Sequence, residues 1–372
     1  MRDTRDQAKR RGGVRQSVIG LMLLLSVGLA ACSNGSNDAA PDATANVTAS
    51  APAQTSSTSA SPSPSLDATA SASASPSPSA SATSDPNAEA ALLEAFKEQA
   101  QSELSAAELN KALDDKLAQA SPETGDALMR EMLAYYDRQL PDLQGKFEAE
   151  KVQQALQKLD WPPTEEQIGQ IKDEQVRALA QGALDGGYKL ETTEGYDFPV
   201  VDYGKLKRAD VRVTAAMKDY ISLLAVESDQ KSASDGGLVI ERAEVAARAA
   251  QAEAYVVAHP DAPEREQAED LFATRYIPFL LMGLDNTPVF DFDTFKLDSQ
   301  VKASLEKTIA NDSGTVTAKL AQEFLAIVEK TGGAVYKKGK NGEQVAIPEV
   351  KAFFDGLEAH ARKLLDEANP NK

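Results

Sequence analysis

The chain has 372 residues, of which 57 are acidic and 39 basic, so its formal net charge is −18. This acidic balance argues against a nucleic-acid partner, because phosphate binding requires clustered lysine and arginine. With one cysteine and two histidines, the sequence excludes an internal disulfide framework and a cysteine-rich zinc site, and it argues against a histidine-based metal site or relay.

The N-terminus has the three parts of a secretory signal. Residues 1–16 hold six basic side chains, residues 18–31 are almost wholly apolar, and residues 29–32 read Leu-Ala-Ala-Cys. The apolar run is too short to span a bilayer of about 30 Å as a helix. Together these residues resemble the signal of bacterial lipoproteins, whose lipobox ends in the acylated cysteine. The resemblance covers residues 1–32 and implies cleavage before Cys32, with fatty acids such as palmitate attached there.

A lipid anchor of two or more chains holds a protein stably on a membrane. We therefore expect the mature protein to sit on the extracytoplasmic face of a cell membrane, held through Cys32. The alternative is a buried apolar helix that ends in an ordinary thiol.

Residues 33–87 have the composition of a disordered linker. Serine, alanine, proline and threonine account for 43 of these 55 residues, and no aromatic residue occurs among them. Such a segment cannot bury enough apolar surface to offset its ordering entropy. At about 3.1 Å per residue it would reach roughly 170 Å when fully extended. The sequence thus predicts a tether between the anchor and a body at 88–372, with a possible sub-boundary near 187–204.

The apolar residues of the body recur with a helical period, and capping and stop signals divide them into segments. Ser105 with Glu108 and Thr164 with Gln167 form predicted capping boxes, and glycine pairs at 186–187 and 332–333 are predicted helix ends. The predicted helices are 88–102, 106–119, 123–140, 143–159, 165–184, 214–229, 240–258, 264–282, 299–310, 315–330 and 349–367.

Two stretches interrupt the helical pattern with strand signals. Residues 334–347 alternate around an Asn-Gly pair, which favours a β-hairpin, and residues 188–201 suggest a second pair of short strands. The predicted fold is therefore mainly all-α: an irregular helical bundle or a short helical-hairpin solenoid with one or two small β-hairpins. The interhelix turns at 259–263 and 311–314 resemble those of tetratricopeptide-like solenoids, although any helical hairpin can use such turns.

Known catalytic motifs are missing from the sequence. It has no phosphate-binding glycine loop, no nucleophile elbow and no His-Glu-x-x-His, and both histidines are expected at the surface. We therefore expect no cofactor and no catalytic residue. An irregular calcium site formed by Asp285, Asp291 and Asp293 is an alternative for the loop 284–297.

Aromatic and acidic residues are concentrated in the loops 188–204 and 284–297. Such residues either plug a loop onto the core or form a recognition surface. We expect the two loops to lie together and form a binding surface. Its candidate residues are Tyr188, Tyr196, Asp197, Phe198, Phe290, Asp291, Phe292 and Asp293.

These features predict a surface lipoprotein whose helical domain is a non-catalytic binding module for an unknown protein, peptide or cell-wall component. A carboxylate-based cell-wall hydrolase is one alternative, and a substrate-binding lipoprotein of a transporter is another. The second alternative usually alternates strands and helices, which this body does not.

Overall fold

The computed structural model of the chain describes residues 85–369. The predicted signal, the predicted lipidation site Cys32 and the predicted linker up to residue 84 lie outside the described residues. Within the described range, 13 α-helices and four two-stranded antiparallel sheets confirm a mainly α fold with small β-hairpins. In this part of the chain, no helix is long and apolar enough to cross a membrane.

The helices are α1 (Pro86–Gln101), α2 (Ala106–Leu117), α3 (Pro122–Phe147), α4 (Glu150–Leu156), α5 (Glu165–Gly169), α6 (Glu174–Asp185), α7 (Ala215–Asp229), α8 (Arg242–Ala258), α9 (Arg265–Asp270), α10 (Ile277–Leu281), α11 (Ser299–Asn311), α12 (Val316–Lys330) and α13 (Pro348–Glu367). The strands are β1 (Tyr188–Thr193), β2 (Tyr196–Val201), β3 (Ala233–Ser234), β4 (Gly237–Leu238), β5 (Gly283–Leu284), β6 (Thr287–Pro288), β7 (Tyr336–Lys338) and β8 (Gln344–Ala346). A 3₁₀ segment, Tyr203–Ala209, precedes α7, and a π-helical segment, Leu271–Tyr276, joins α9 to α10.

Helix ends follow the predicted capping chemistry at several positions. Both capping boxes form, at Ser105 before α2 and at Thr164 before α5. At the end of α12, the amide of Gly333 donates to the carbonyl of Val328 at 2.9 Å. Gly332 and Gly333 both have positive φ, a conformation that glycine adopts without strain. The predicted stop at 332–333 is therefore confirmed.

Two helix boundaries differ from the prediction. The gap predicted between helices 123–140 and 143–159 lies later in the chain, since α3 continues through Pro141 to Phe147 and α4 begins at Glu150. Leu140 and Leu143, on either side of Pro141, pack against the core. Packing of these leucines offsets the hydrogen bond that proline removes. The predicted helix 165–184 is instead two helices, because Asp173 caps α6 by accepting from the amides of Gln175 and Val176.

Both predicted hairpins form, and two more are present. β1 pairs with β2 and β7 pairs with β8, whereas the unpredicted hairpins β3–β4 and β5–β6 have strands of only two residues. Strands this short carry no readable alternation, so their only sequence signals are turn residues such as Asp235-Gly236. The two short hairpins meet where the amide of Asn286 donates to the carbonyl of Gly236 at 2.9 Å.

One hydrophobic cluster extends from Phe96 to Leu365 and includes residues on both sides of 187–204. Near its centre the buried Tyr136 hydroxyl donates to the carbonyl of Gly186 at 3.0 Å and accepts from Asn110 at 2.9 Å. Burial raises the pKa of Tyr136 to about 12. Gly187 has a φ of 86°, and a Cβ there would stand 2.3 Å from this hydroxyl, so both backbone conformation and space require glycine.

A partly buried ionic network around Arg248 joins α7, α8 and the π-helical segment. The Glu227 carboxylate accepts from Arg248 at 2.9 Å, from Arg275 at 3.3 Å and from the Tyr276 hydroxyl at 3.0 Å. Only 3% of the Arg248 side chain is exposed. Burial and the neighbouring Glu227 raise the pKa of Tyr276, which therefore stays a neutral hydrogen-bond donor.

A buried carboxylate fixes α12 against α8. Glu253 is 7% exposed and accepts from the amide of Val316 at 2.6 Å and the amide of Thr317 at 2.9 Å. These amides belong to the first turn of α12, where helix donors otherwise lack partners. The contact determines where α12 lies and therefore positions the groove described below.

Candidate functional site

The hairpin β1–β2 contributes both interior and surface residues. Tyr188 is 2% exposed and Asp197 is 4% exposed, so neither can form part of a binding surface. The Gln153 side chain holds the backbone of Asp197 in this position: its amide oxygen accepts from the Asp197 amide at 2.9 Å and its amide nitrogen donates to the Asp197 carbonyl at 2.7 Å. Tyr196 is 38% exposed and stacks on the half-buried Phe198, with ring centroids 6.3 Å apart.

The loop 284–297 has the same mixed character. Phe290 is 8% exposed and belongs to the core, which corrects its assignment to the binding surface. Phe292 is 62% exposed, and Asp291 and Asp293 are also exposed. Of the aromatic candidates, Phe292 is thus the most accessible.

The two loops pack on different parts of the molecule. Among the described residues, no hydrogen bond, ion pair or ring contact joins 188–204 directly to 284–297. Lys231 contacts the first loop at the carbonyl of Thr192, at 2.7 Å, and the second contacts Gly236 through Asn286. The structure thus shows no direct contact of these kinds between the two loops, and each presents its own exposed ring, Tyr196 or Phe292.

The turn that presents Phe292 is held by its own hydrogen bonds. The Asp291 carboxylate accepts from the amide and the hydroxyl of Thr294, each at 2.8 Å. These bonds hold the pKa of Asp291 below its usual range. Phe295 closes the turn with a φ of 55°, an unfavourable conformation for a bulky residue. Its ring is 5% exposed, so burial offsets the backbone strain.

Phe292 stands on a cluster of rings. Its centroid is 5.2 Å from that of Phe290, which in turn lies 4.9 Å from Tyr336 and 6.0 Å from Phe295. Edge-to-face contacts of this kind stabilise ring orientation beyond area burial. The edge-to-face contact with Phe290 therefore favours one orientation of the exposed Phe292 ring, which reduces the entropy lost when a ligand covers it. We call these four residues the aromatic cluster.

A groove of about 670 Å³ begins next to the aromatic cluster and lies between α11 and α12. The chain passes directly from Phe295 to the groove residues Lys296 and Leu297, and the Leu297 amide donates to the carbonyl of Gly333 at 2.8 Å. The apolar lining of the groove consists of Leu297, Ile309, Leu325, Ala326 and Val328. Its charged lining consists of Lys296, Lys302, Glu306 and Glu329.

This groove was not among the sites predicted from the sequence. Leu325 was the available signal, because it is apolar but lies beside the core-facing residues Leu320, Phe324 and Val328 of α12. It is only half buried, as is Ile309 on α11. That these two residues face a common groove depends on how the helices pack.

The metal-ligating residue types of the described range do not cluster. Within residues 85–369, no three His, Cys, Asp or Glu side chains are placed to hold a metal ion, so Asp285, Asp291 and Asp293 do not form the calcium site considered above. Each histidine contacts one carboxylate: His259 lies 2.8 Å from Asp219, and His360 also has a glutamate partner.

Several buried carboxylates accept hydrogen bonds from other parts of the fold. Asp126 accepts from the amide and hydroxyl of Thr214, and Glu264 accepts from Arg130. Carboxylates occupied in this way orient helices and are poorly suited to proton transfer. No protein-family model, curated protein or solved structure matches this chain. The features that remain for recognition are the exposed Phe292 and the adjoining groove.

Proposed function

We propose that the protein is a lipid-anchored, extracytoplasmic binding module without catalytic activity. Its helical body would hold a protein, peptide or cell-wall component, while lipid at Cys32 and the linker keep the body at the membrane surface. The lipobox-like residues 29–32 and the linker composition support the anchor and tether. The absence of known catalytic motifs from the sequence supports a binding role.

The main observation in favour of the binding role is the exposed ring of Phe292, which packs on the buried Phe290 of the aromatic cluster. Isolated exposed apolar residues are common on protein surfaces, but this ring is 62% exposed and adjoins an apolar groove. Aromatic residues that are ordered before binding, next to an apolar depression, are typical of interaction sites. We define the groove face as the aromatic cluster together with the groove between α11 and α12.

The two alternatives have less support. A hydrolase would need two carboxylates free for acid–base chemistry, whereas Asp126, Glu253 and Glu264 are engaged by protein donors. A transporter's binding lipoprotein would typically be built on a sheet with alternating helices. The strands described here form four separate two-stranded sheets.

Site-directed crosslinking in intact cells tests the binding role. A photoreactive phenylalanine analogue at position 292 should crosslink to an extracytoplasmic partner, because this ring is exposed and held on the groove face. The control position is Val211, which is 85% exposed and lies in the segment that packs on α3 through Arg212. Equal crosslinking at 292 and 211, or none at 292, would contradict the proposal.

A further inference from the structure

We propose that the groove between α11 and α12 binds an acidic amphipathic helix of a partner protein. This inference rests on the proposed binding function and specifies the chemistry of the partner. It draws on the length of the groove, its open ends and the distribution of its charges.

The groove is long enough for a helix. A smaller depression of about 260 Å³ shares Ile309 and Gln322 with the larger one and continues it toward Gly314. The combined groove follows α12, whose 15 residues span about 22 Å at 1.5 Å per residue. A helix of about four turns matches this length. The half-buried Ile309 and Leu325 would be covered by its apolar face, as in other helix-in-groove complexes.

Both ends of the groove are open. Gly314 lies at one end, and Gly332 and Gly333 lie at the other. A Cβ placed on any of these glycines would meet no atom within 4 Å. A bound helix can therefore extend past either end without meeting a side chain at these positions.

The charges of the groove favour an acidic partner. Lys302 and Glu306 are 3.4 Å apart and neutralise one another. The remaining lining charges are Lys296, Lys319 and Glu329. The groove lining therefore has three lysines and two glutamates, a small positive excess, although the chain as a whole carries −18.

Lys296 and Lys319 lie toward opposite ends of the groove and are both exposed. In the part of the chain that the structure describes, neither has an ion-pair partner. Glutamate or aspartate near each end of a bound helix would meet these lysines. Complementary charges of this kind determine which partner binds and in which orientation.

The test uses two labelled model helices of about 16 residues, with the same leucine and alanine face. One carries glutamate on its flanks and the other carries lysine. At about 0.15 M salt a Debye length of about 8 Å screens the distant acidic surface of the protein. Under this condition, fluorescence anisotropy with the whole protein should show about fivefold tighter binding of the acidic helix, because the basic helix replaces two exposed ion pairs with two repulsions.

Two variants of the protein make the test specific. The double variant K296E/K319E should reverse the preference between the two helices, and Leu325→Asp should abolish binding of both. The melting temperature of each variant, compared with that of the wild type, shows whether the body still folds. The inference would be overturned if the wild-type protein bound the two helices equally. It would also be overturned if the folded variants bound them with the same affinities as the wild type.

Self-association is a competing outcome. If sedimentation shows a dimer that Leu325→Asp dissociates, the groove is occupied by a second copy and the acidic-helix inference is wrong. Failure of this inference is separable from failure of the proposed function. If the crosslink is specific to position 292 but the protein shows no preference for the acidic helix, the binding role stands and only the acidic helix is rejected as the occupant.

Discussion

Replacing Cys32 with alanine is expected to move the protein from the membrane fraction to the soluble fraction, or to leave it unprocessed. The thiol is the proposed acylation site after Leu29-Ala30-Ala31, and acyl chains supply the membrane affinity of a protein anchored in this way. Membrane fractionation of cells expressing either form measures the change. Mass spectrometry of the wild-type N-terminal peptide should find cleavage before Cys32 and attached lipid.

The substitution should not affect the fold of the body, because Cys32 is the only cysteine of the chain. Its replacement cannot break an internal disulfide, and the body begins more than 50 residues later. The melting temperature of the soluble body should therefore be unchanged. Normal processing and full membrane retention of Cys32→Ala would contradict the lipid anchor.

Glu227→Ala is expected to lower the free energy of unfolding by about 3 kcal/mol, the largest effect we predict within the body. The substitution removes the acceptor shared by Arg248, Arg275 and Tyr276. It leaves a guanidinium that is 3% exposed without its main counter-charge. Urea unfolding followed by circular dichroism measures the change.

Glu244→Ala is the matched control for this prediction. Glu244 pairs with the same Arg248 at 3.1 Å, but its own side chain is 48% exposed. Removing it should cost less than about 1 kcal/mol, because solvent screens exposed ion pairs. If the two variants lost similar stability, the network around Glu227 would not have the role assigned to it here.

The helices could be predicted from sequence because their signals are local. The capping box at Ser105 and the glycine stop at 332–333 need only neighbouring residues to form. Continuation of α3 through Pro141 could not be predicted in this way, since it depends on the packing of flanking leucines against other helices. The break before α6 did have a local signal, the cap residue Asp173, which the apolar periodicity of 165–184 obscured.

The candidate site was less predictable because it depends on packing between residues that are far apart in the chain. Asp197 is a charged residue in an aromatic loop, yet it is buried, and its backbone is bonded by Gln153, which is 44 positions away in the chain. Phe290 and Phe292 have the same side chain and are separated by one residue, yet one is 8% and the other 62% exposed. The difference follows from the turn at Asp291 and from the packing of Phe290 on Tyr336, which belongs to the hairpin β7–β8 later in the chain.

We propose that the groove face holds an extracytoplasmic partner. Its most direct measurement is the amount of partner that co-purifies with Leu325→Asp compared with Val211→Asp, each from detergent-solubilised membranes. Leu325 lines the groove, whereas Val211 is exposed elsewhere. With both variants folded, we expect that Leu325→Asp loses the partner and that Val211→Asp retains it at the wild-type level. Equal retention by the two variants would contradict it.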